Sequence, residues 1–185
     1  KPILDNAGNV LLEAGTLLET VESDVEGNVV FTKDFPLGEY EVRELERVEG
    51  YITNNEVVVF DATYQGQDVK VIKLTEDFYN TPTSFEFTKK DITSGAEIAG
   101  AYLEVTDKDG NVVDSWVSVA NESHVIKRLV VGETYTLKET MAPYGYLIAN
   151  EISFTVEDTG EVQTVVMEDE VPKESLTIYK TGEKV

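Results

Sequence analysis

The 185-residue sequence contains no cysteine. No disulfide framework can brace it, and no thiol chemistry is open to it. Basic residues are scarce: 15 Lys and Arg stand against 36 Asp and Glu, a formal net charge of -21. Phosphate binding needs clustered cations, so nucleic acid is excluded as a partner, while the acidic excess favours a well-solvated surface. No apolar run is long enough to span a bilayer, so no membrane insertion is expected of this stretch, and no signal peptide or sorting signal is visible. The single His, His124, has no nearby ligand partners, and no metal site is expected. There is no Ser/His/Asp order and no Gly-rich phosphate loop, and no cofactor is implied. Nothing sustains a helical period beyond a turn or so. Short alternating runs between turn residues point instead to an all-β fold.

Among those runs, Tyr135-Thr-Leu-Lys-Glu139-Thr-Met-Ala-Pro143-Tyr-Gly145-Tyr146 is unusual. As a strand of period two it places Tyr135, Leu137 and Glu139 on one face, with Thr136 and Lys138 on the other. Pro143 and Gly145 break it into a turn, so Glu139 points inward near a strand end. A buried carboxyl must be paired, protonated or chemically engaged. The arrangement recurs upstream in Gly38-Glu-Tyr40-Glu-Val42-Arg-Glu44-Leu-Glu-Arg-Val-Glu-Gly50-Tyr51. In both copies a Tyr precedes the Glu by four residues and Gly-Tyr follows it at six and seven; the two glutamates lie 95 residues apart. That spacing is the size of a small β-sandwich and predicts tandem copies of one domain.

The expected order in the first copy runs from a turn at Asp5–Asn9 through strands at Val10–Leu12, Thr16–Thr20 and Val29–Phe31, the last following a Gly27-Asn28 hairpin signal. The Glu44 strand, Glu56–Phe60 and Val69–Leu74 follow, and Phe78 and Asn80 share a face. Thr81–Ser84 is expected as a linker, with Pro82 blocking continuation of a ladder. The division is therefore residues 1–82, 83–171 and a remainder, 172–185. The chain starts at Lys1 without a Met and ends within the pattern of a new strand, so it is expected to be a fragment.

In the second copy, Phe85, Phe87 and Lys89 share a face, which makes Lys89 rather than Lys90 the inward lysine. Trp116 is a candidate core anchor, and Asp107–Asn111 has the pattern of a hairpin turn rather than a calcium loop. Along the final strand Val165, Met167 and Asp169 face inward, with Val166, Glu168 and Glu170 outward. Three inward ionisable residues on three strands would each cost several kcal/mol, on the order of the desolvation penalty, unless they compensate one another. Burial lowers a Lys pKa and raises that of an acid, so a neutral amine beside a protonated carboxyl can act as nucleophile and electrophile. With Glu139 shuttling the proton and polarising the carbonyl, the product is a Lys89–Asp169 amide. The alternative is a buried ion triad with no bond made.

These residues carry a resemblance. Phe-Thr-Lys89-Lys-Asp, Ile98-Ala-Gly100-Ala101, Trp116, the Tyr135–Tyr146 stretch and Val-Val-Met-Glu-Asp169 are similar to the collagen-adhesin B-type domain, also called CnaB or SpaA-like, in its SpyCatcher-type Lys–Asp variant. The resemblance covers residues 85 to about 170 closely and 1–80 more loosely. It implies tandem reversed immunoglobulin-like β-sandwiches, with Lys on the first strand, Glu as catalyst, and Asp or Asn on the last strand, in a secreted, cell-wall-anchored pilin or adhesin of a Gram-positive bacterium. In the first domain it places Glu44 as catalyst and Asn80 as acceptor, with ammonia as the leaving group. There Arg47-Val48 replace the usual Ala-Pro, and no lysine strand precedes Asp5, so its first strand is expected before this fragment. Leu176-Thr-Ile178-Tyr-Lys180 repeats the Phe85-x-Phe87-x-Lys89 pattern, either as the first strand of a following domain or as a strand able to complete another chain's first domain.

The resulting functional expectation is a structural stalk that crosslinks itself once and is not an enzyme in the turnover sense. Its partners would be neighbouring domains of the same surface protein. The alternative is a ligand-binding adhesin domain for a host extracellular protein or glycan. A carbohydrate-active enzyme using Glu139 and Asp169 would need an open cleft between them.

Overall fold

The computed structural model describes residues 1–69, 72, 75–179 and 182. Every regular element among them is a β-strand. The chain falls into two compact units, Lys1–Leu45 with Asn55–Tyr79, and Glu46–Asn54 with Asn80–Val185.

In the first unit, β1 (Ile3–Leu4) pairs antiparallel with β2 (Val10–Leu12). The turn between them is set by Asp5, whose Oδ1 accepts the Ala7 and Asn9 N–H groups at 2.8 Å each. A second antiparallel ladder joins β3 (Gly38–Arg43) to β4 (Val57–Ala62), with Tyr40 opposite Phe60. Exposure alternates along both strands, as expected where one face is covered. Neither Thr16–Thr20 nor Val29–Phe31 forms a strand. Between and after them, the Asp24 carboxylate caps a turn by accepting the Glu26 and Asn28 N–H groups, and Glu19 Oε2 takes the Thr32 and Lys33 N–H groups at 3.1 and 3.2 Å. The strand expected over Val69–Leu74 falls on Lys70, Val71, Lys73 and Leu74, which lie outside the described residues.

The second unit contains β5 (Ser84–Asp91), β6 (Tyr102–Thr106), β7 (Val112–Val117), β8 (His124–Lys127), β9 (Thr134–Met141), β10 (Ile152–Thr155) and β11 (Gln163–Asp169). They form two sheets, β10-β9-β6-β7 and β11-β5-β8. The sheets enclose one core drawn from both inner faces, including Phe85, Phe87, Val165 and Met167 from one and Leu103, Val105, Tyr135 and Leu137 from the other. Strict period-two burial along β5 and β11 follows from the alternation of large apolar and polar residues. These two strands, first and last in the unit, run parallel as neighbours, with Met167 opposite Lys89 and Asp169 opposite Asp91. Trp116 is half-buried at the core margin, where it packs on Phe87 and stacks against His124. Asp107–Asn111 closes the β6–β7 hairpin, with Asp107 Oδ1 accepting the Asp109 and Asn111 N–H groups.

Thr81–Ser84 is not a free tether. Residues 46–54 pack against it, through Ile52 N–H to Thr81 O at 3.0 Å and Thr83 N–H to Gly50 O at 3.1 Å. Gly50 sits at φ +81, and a Cβ there would meet the Arg128 carbonyl oxygen at 2.7 Å, so no other residue fits without displacement. Thr83 is fully buried, and its hydroxyl donates to Leu129 O at 2.6 Å. Thr83→Val keeps the shape and removes that donor. An orphaned buried carbonyl costs about 1–3 kcal/mol, so the urea midpoint followed by fluorescence of Trp116, the sole tryptophan, is expected to fall by a corresponding amount.

Candidate functional site

Lys89 enters the core from β5, Glu139 from β9 and Asp169 from β11. The three are 4 %, 2 % and 0 % exposed, as little as the apolar residues around them. Each lies on the inward face of its strand for the reason alternation gives: Phe85 and Phe87 precede Lys89, Tyr135 and Leu137 precede Glu139, and Val165 and Met167 precede Asp169. The Lys89 ammonium is ion-paired and hydrogen-bonded to Asp169 Oδ1, and stands 3.2 Å from Glu139 Oε1. One cation thus faces two carboxyl groups in an environment that disfavours charge. Burial pushes the Asp169 carboxyl above its ordinary value, against the opposing pull of Lys89, and the neighbouring Glu139 carboxyl adds to the rise.

Glu139 is fixed from its far side. Its Oε2 accepts the Ala149 N–H at 2.7 Å, which leaves Oε1 facing the lysine. Among the described residues, Glu139 Oε1 and Asp169 Oδ2 have no aligned hydrogen-bond partner. Both therefore keep acceptor capacity for a proton that moves within the cluster. A cavity of about 200 Å³ borders Lys89 and is lined also by Phe87, Leu103, Trp116, Ser118 and His124.

Three participants escaped the sequence reading. Asp91 continues the inward face of β5 beyond Lys89 and is buried; its carboxylate accepts the Thr93 and Ser94 N–H groups and lies below the usual range chiefly because of Ser94. The Asp91 carboxylate raises the pKa of the Tyr146 hydroxyl above its ordinary value. Ala149 acts through its backbone. Alternation from Lys89 could have revealed Asp91, but a backbone N–H has no signature in sequence. Of the remaining candidates, Glu44 lies one residue past the end of β3, half-buried, in the first unit. Asn80 belongs to the second unit, where its Oδ1 accepts from Asn54 Nδ2 at 3.1 Å. Lys180 lies outside the described residues. Among the described residues no group of three or more His, Cys, Asp and Glu side chains is placed to hold a metal ion.

No curated protein matches the chain. Among solved structures it is similar to the Bacillus anthracis TIE protein, at 24 % identity over 74 % of this chain and 26 % of that one, with a TM-score of 0.51. The chain thus spans about a quarter of that protein's length, and the likeness speaks to fold. It is also similar to the C-terminal fragment of the pilus adhesin SpaC from Lactobacillus rhamnosus GG, at 19 % identity over 79 % and 80 % of the two chains, TM-score 0.47. A third is a D312A form of BcpA, the major pilin subunit of Bacillus cereus, at 26 % identity over 47 % and 28 %, TM-score 0.41. The model of the SpaA prealbumin-like fold domain matches twice, over residues 3–76 and 83–171. With both halves matched, and with an all-β fold, the chain belongs to the SpaA family of prealbumin-like fold domains.

Proposed function

We propose that this chain is a pilin-like stalk segment of a Gram-positive cell-surface protein, whose second domain locks itself with a Lys89–Asp169 isopeptide bond promoted by Glu139. The observation that carries this reading is the placement of the Lys89 amine between two buried carboxyl groups, Asp169 on the strand beside it and Glu139 on a strand of the facing sheet. The raised Asp169 pKa favours the acid, the form whose hydroxyl can leave.

The condensation balances within the triad. Lys89 begins as the ammonium, Glu139 as the carboxylate and Asp169 as the acid. Nζ passes one proton to Glu139 and attacks Cγ of Asp169 with the freed electron pair. A second nitrogen proton, relayed by Glu139, leaves with the Asp169 hydroxyl as water, and the amide C–N bond replaces the C–O bond. Glu139 keeps the remaining proton. Holding both reactants in contact supplies the effective concentration that amide formation lacks in free solution. Each triad reacts once, so the site does not turn over.

The amide would join residues 80 apart in sequence. By the chain-entropy relation used for disulfides, closing such a loop stabilises by about 4–5 kcal/mol. That crosslink serves where cysteine is absent, and it needs no oxidant. On this reading the partners are adjoining domains of the same surface protein, outside the cell. In the first domain, residues 1–82, Glu44 and Asn80 take the corresponding roles of catalyst and acceptor.

Intact-mass measurement of the purified chain is expected to show the loss of one water. Peptide mapping should place it on Lys89 and Asp169, and Glu139→Ala should restore the full mass. An unmodified wild type would remove the crosslink; loss of an additional ammonia would place a lysine on Asn80.

The protonation argument is checked separately in Lys89→Met, which cannot crosslink. Without the cation, the Asp169 pKa is raised by burial with no opposing charge. A carboxyl whose folded pKa exceeds its unfolded value contributes stability that is complete below the unfolded value, 3.8 for an ordinary Asp, and is lost as pH rises through the folded one. The urea midpoint of Lys89→Met, relative to Lys89→Met with Asp169→Asn, is therefore expected to fall as pH rises above about 4. A difference that stays flat or rises with pH overturns the argument.

A further inference from the structure

The loop between β9 and β10 makes two backbone contacts that converge on the triad from opposite sides. Ala149 N–H holds Glu139 Oε2 at 2.7 Å, and Leu147 N–H holds the carbonyl of Glu170, the residue after Asp169, at 2.9 Å. The intervening turn is closed by Tyr146 N–H to Pro143 O at 3.1 Å, with Gly145 at φ +91. One short loop thus touches the Glu139 carboxylate and the residue that follows Asp169.

The same backbone pattern recurs in the other copy of the repeat. Gly50 sits at φ +81, Tyr51 N–H closes a turn to Val48 O at 3.1 Å, and Ile52 N–H holds Thr81 O at 3.0 Å. Ile52 follows Glu44 by eight residues, as Leu147 follows Glu139, and Thr81 follows Asn80 as Glu170 follows Asp169. The repeated Gly-Tyr spacing after each Glu therefore has a structural meaning. A glycine in the left-handed region turns the chain, the tyrosine amide closes that turn, and the next amide reaches the carbonyl of the residue after Asp169 or Asn80.

We propose that Gly145-Tyr146-Leu147, continued to Ala149, is an acceptor-strand clasp: a positioning device that sets Glu139 and the end of β11 in register for amide formation, with Gly50-Tyr51-Ile52 as its counterpart. The clasp rests on the self-crosslinking reading above. It acts through Glu139 and β11, not on the reacting atoms. Two N–H groups carry it, so removing them should slow the reaction while side-chain changes at the same positions should not.

The test uses the full-length chain, recovered unfolded before any crosslink has formed and diluted into native buffer, with the loss of water followed by intact mass. In two variants, Ala149 and Leu147 are each replaced by the corresponding α-hydroxy acid, which exchanges the N–H for an ester oxygen and leaves the side chain in place. Ala149→Ser and Leu147→Met keep the N–H. Rates are normalised to the folded fraction, read from Trp116 fluorescence, so a variant that folds less completely is still scored. Loss of a hydrogen bond to a charged group corresponds to a change of about tenfold or more, and that slowing is expected for the Ala149 ester. The Leu147 ester should slow in the same direction, and the two N–H-retaining variants should match the wild type. Ester variants that crosslink at the wild-type rate overturn the clasp while leaving self-crosslinking intact. A wild type that loses no water removes both.

Discussion

The second unit is organised around a lysine ammonium held between two carboxyl groups at the centre of an apolar sandwich. No isolated member could stay there charged, since each ion alone would be left desolvated and uncompensated. Together they still leave an imbalance of one cation against two acids, and the raised Asp169 pKa is the expected relief. On the proposed reading, amide formation would carry that relief further, converting the ammonium and the acid into a neutral linkage and leaving Glu139 holding a proton, so that a core that began with buried charge would end without it. Met167 and Leu103, opposite Lys89 and Glu139 in their ladders, wall the triad with buried apolar side chains.

Strand order would give the proposed reaction its mechanical consequence. β5 and β11 are parallel neighbours, so pulling the entry of β5 away from the exit of β11 loads their ladder in shear. Lys89 lies near the end of β5 and Asp169 at the end of β11. With the amide in place, tension would enter at Ser84, run along β5 to Lys89, cross the side chains and leave from Asp169. β6 to β10 would lie outside that path. A crosslink between two interior strands would stabilise folding but would not shield the sheet in this way.

Alternation carried most of the site, because three strands of the second unit have large apolar residues at every second position leading up to the ionisable one. Lys89 was separable from Lys90, and Asp169 from Glu168 and Glu170, with no knowledge of the fold. The same rule, carried two residues further, would have reached Asp91. What period two cannot supply is a contact made by backbone, and the amides of Leu147 and Ala149 belong to that class. Nor does it guarantee pairing: at Thr16–Thr20 and Val29–Phe31 the composition favoured strands, yet neither segment joins a ladder. Glu44 shows a subtler limit, since β3 ends at Arg43, one residue before it.

The two copies of the repeat also separate what the loop needs from what it tolerates. Ala142-Pro143 in one is Arg47-Val48 in the other, yet the turn closes at 3.1 Å in both. The bond is made by the carbonyl of the Pro143 or Val48 position, which any residue supplies, so the side chains there are free to vary. Arg47 uses that freedom for an ion pair with Asp158 at 3.5 Å. Glycine is different, because Gly50 and Gly145 occupy a region of φ that a Cβ disfavours. The residue after the tyrosine must offer an N–H, which leucine and isoleucine do equally and proline could not. Spacing from the glutamate fixes where that N–H lands. The lost Ala-Pro and the retained Gly-Tyr therefore follow from one requirement: the geometry of a backbone reach to the neighbouring strand is set by one conformation and one donor, with composition free elsewhere.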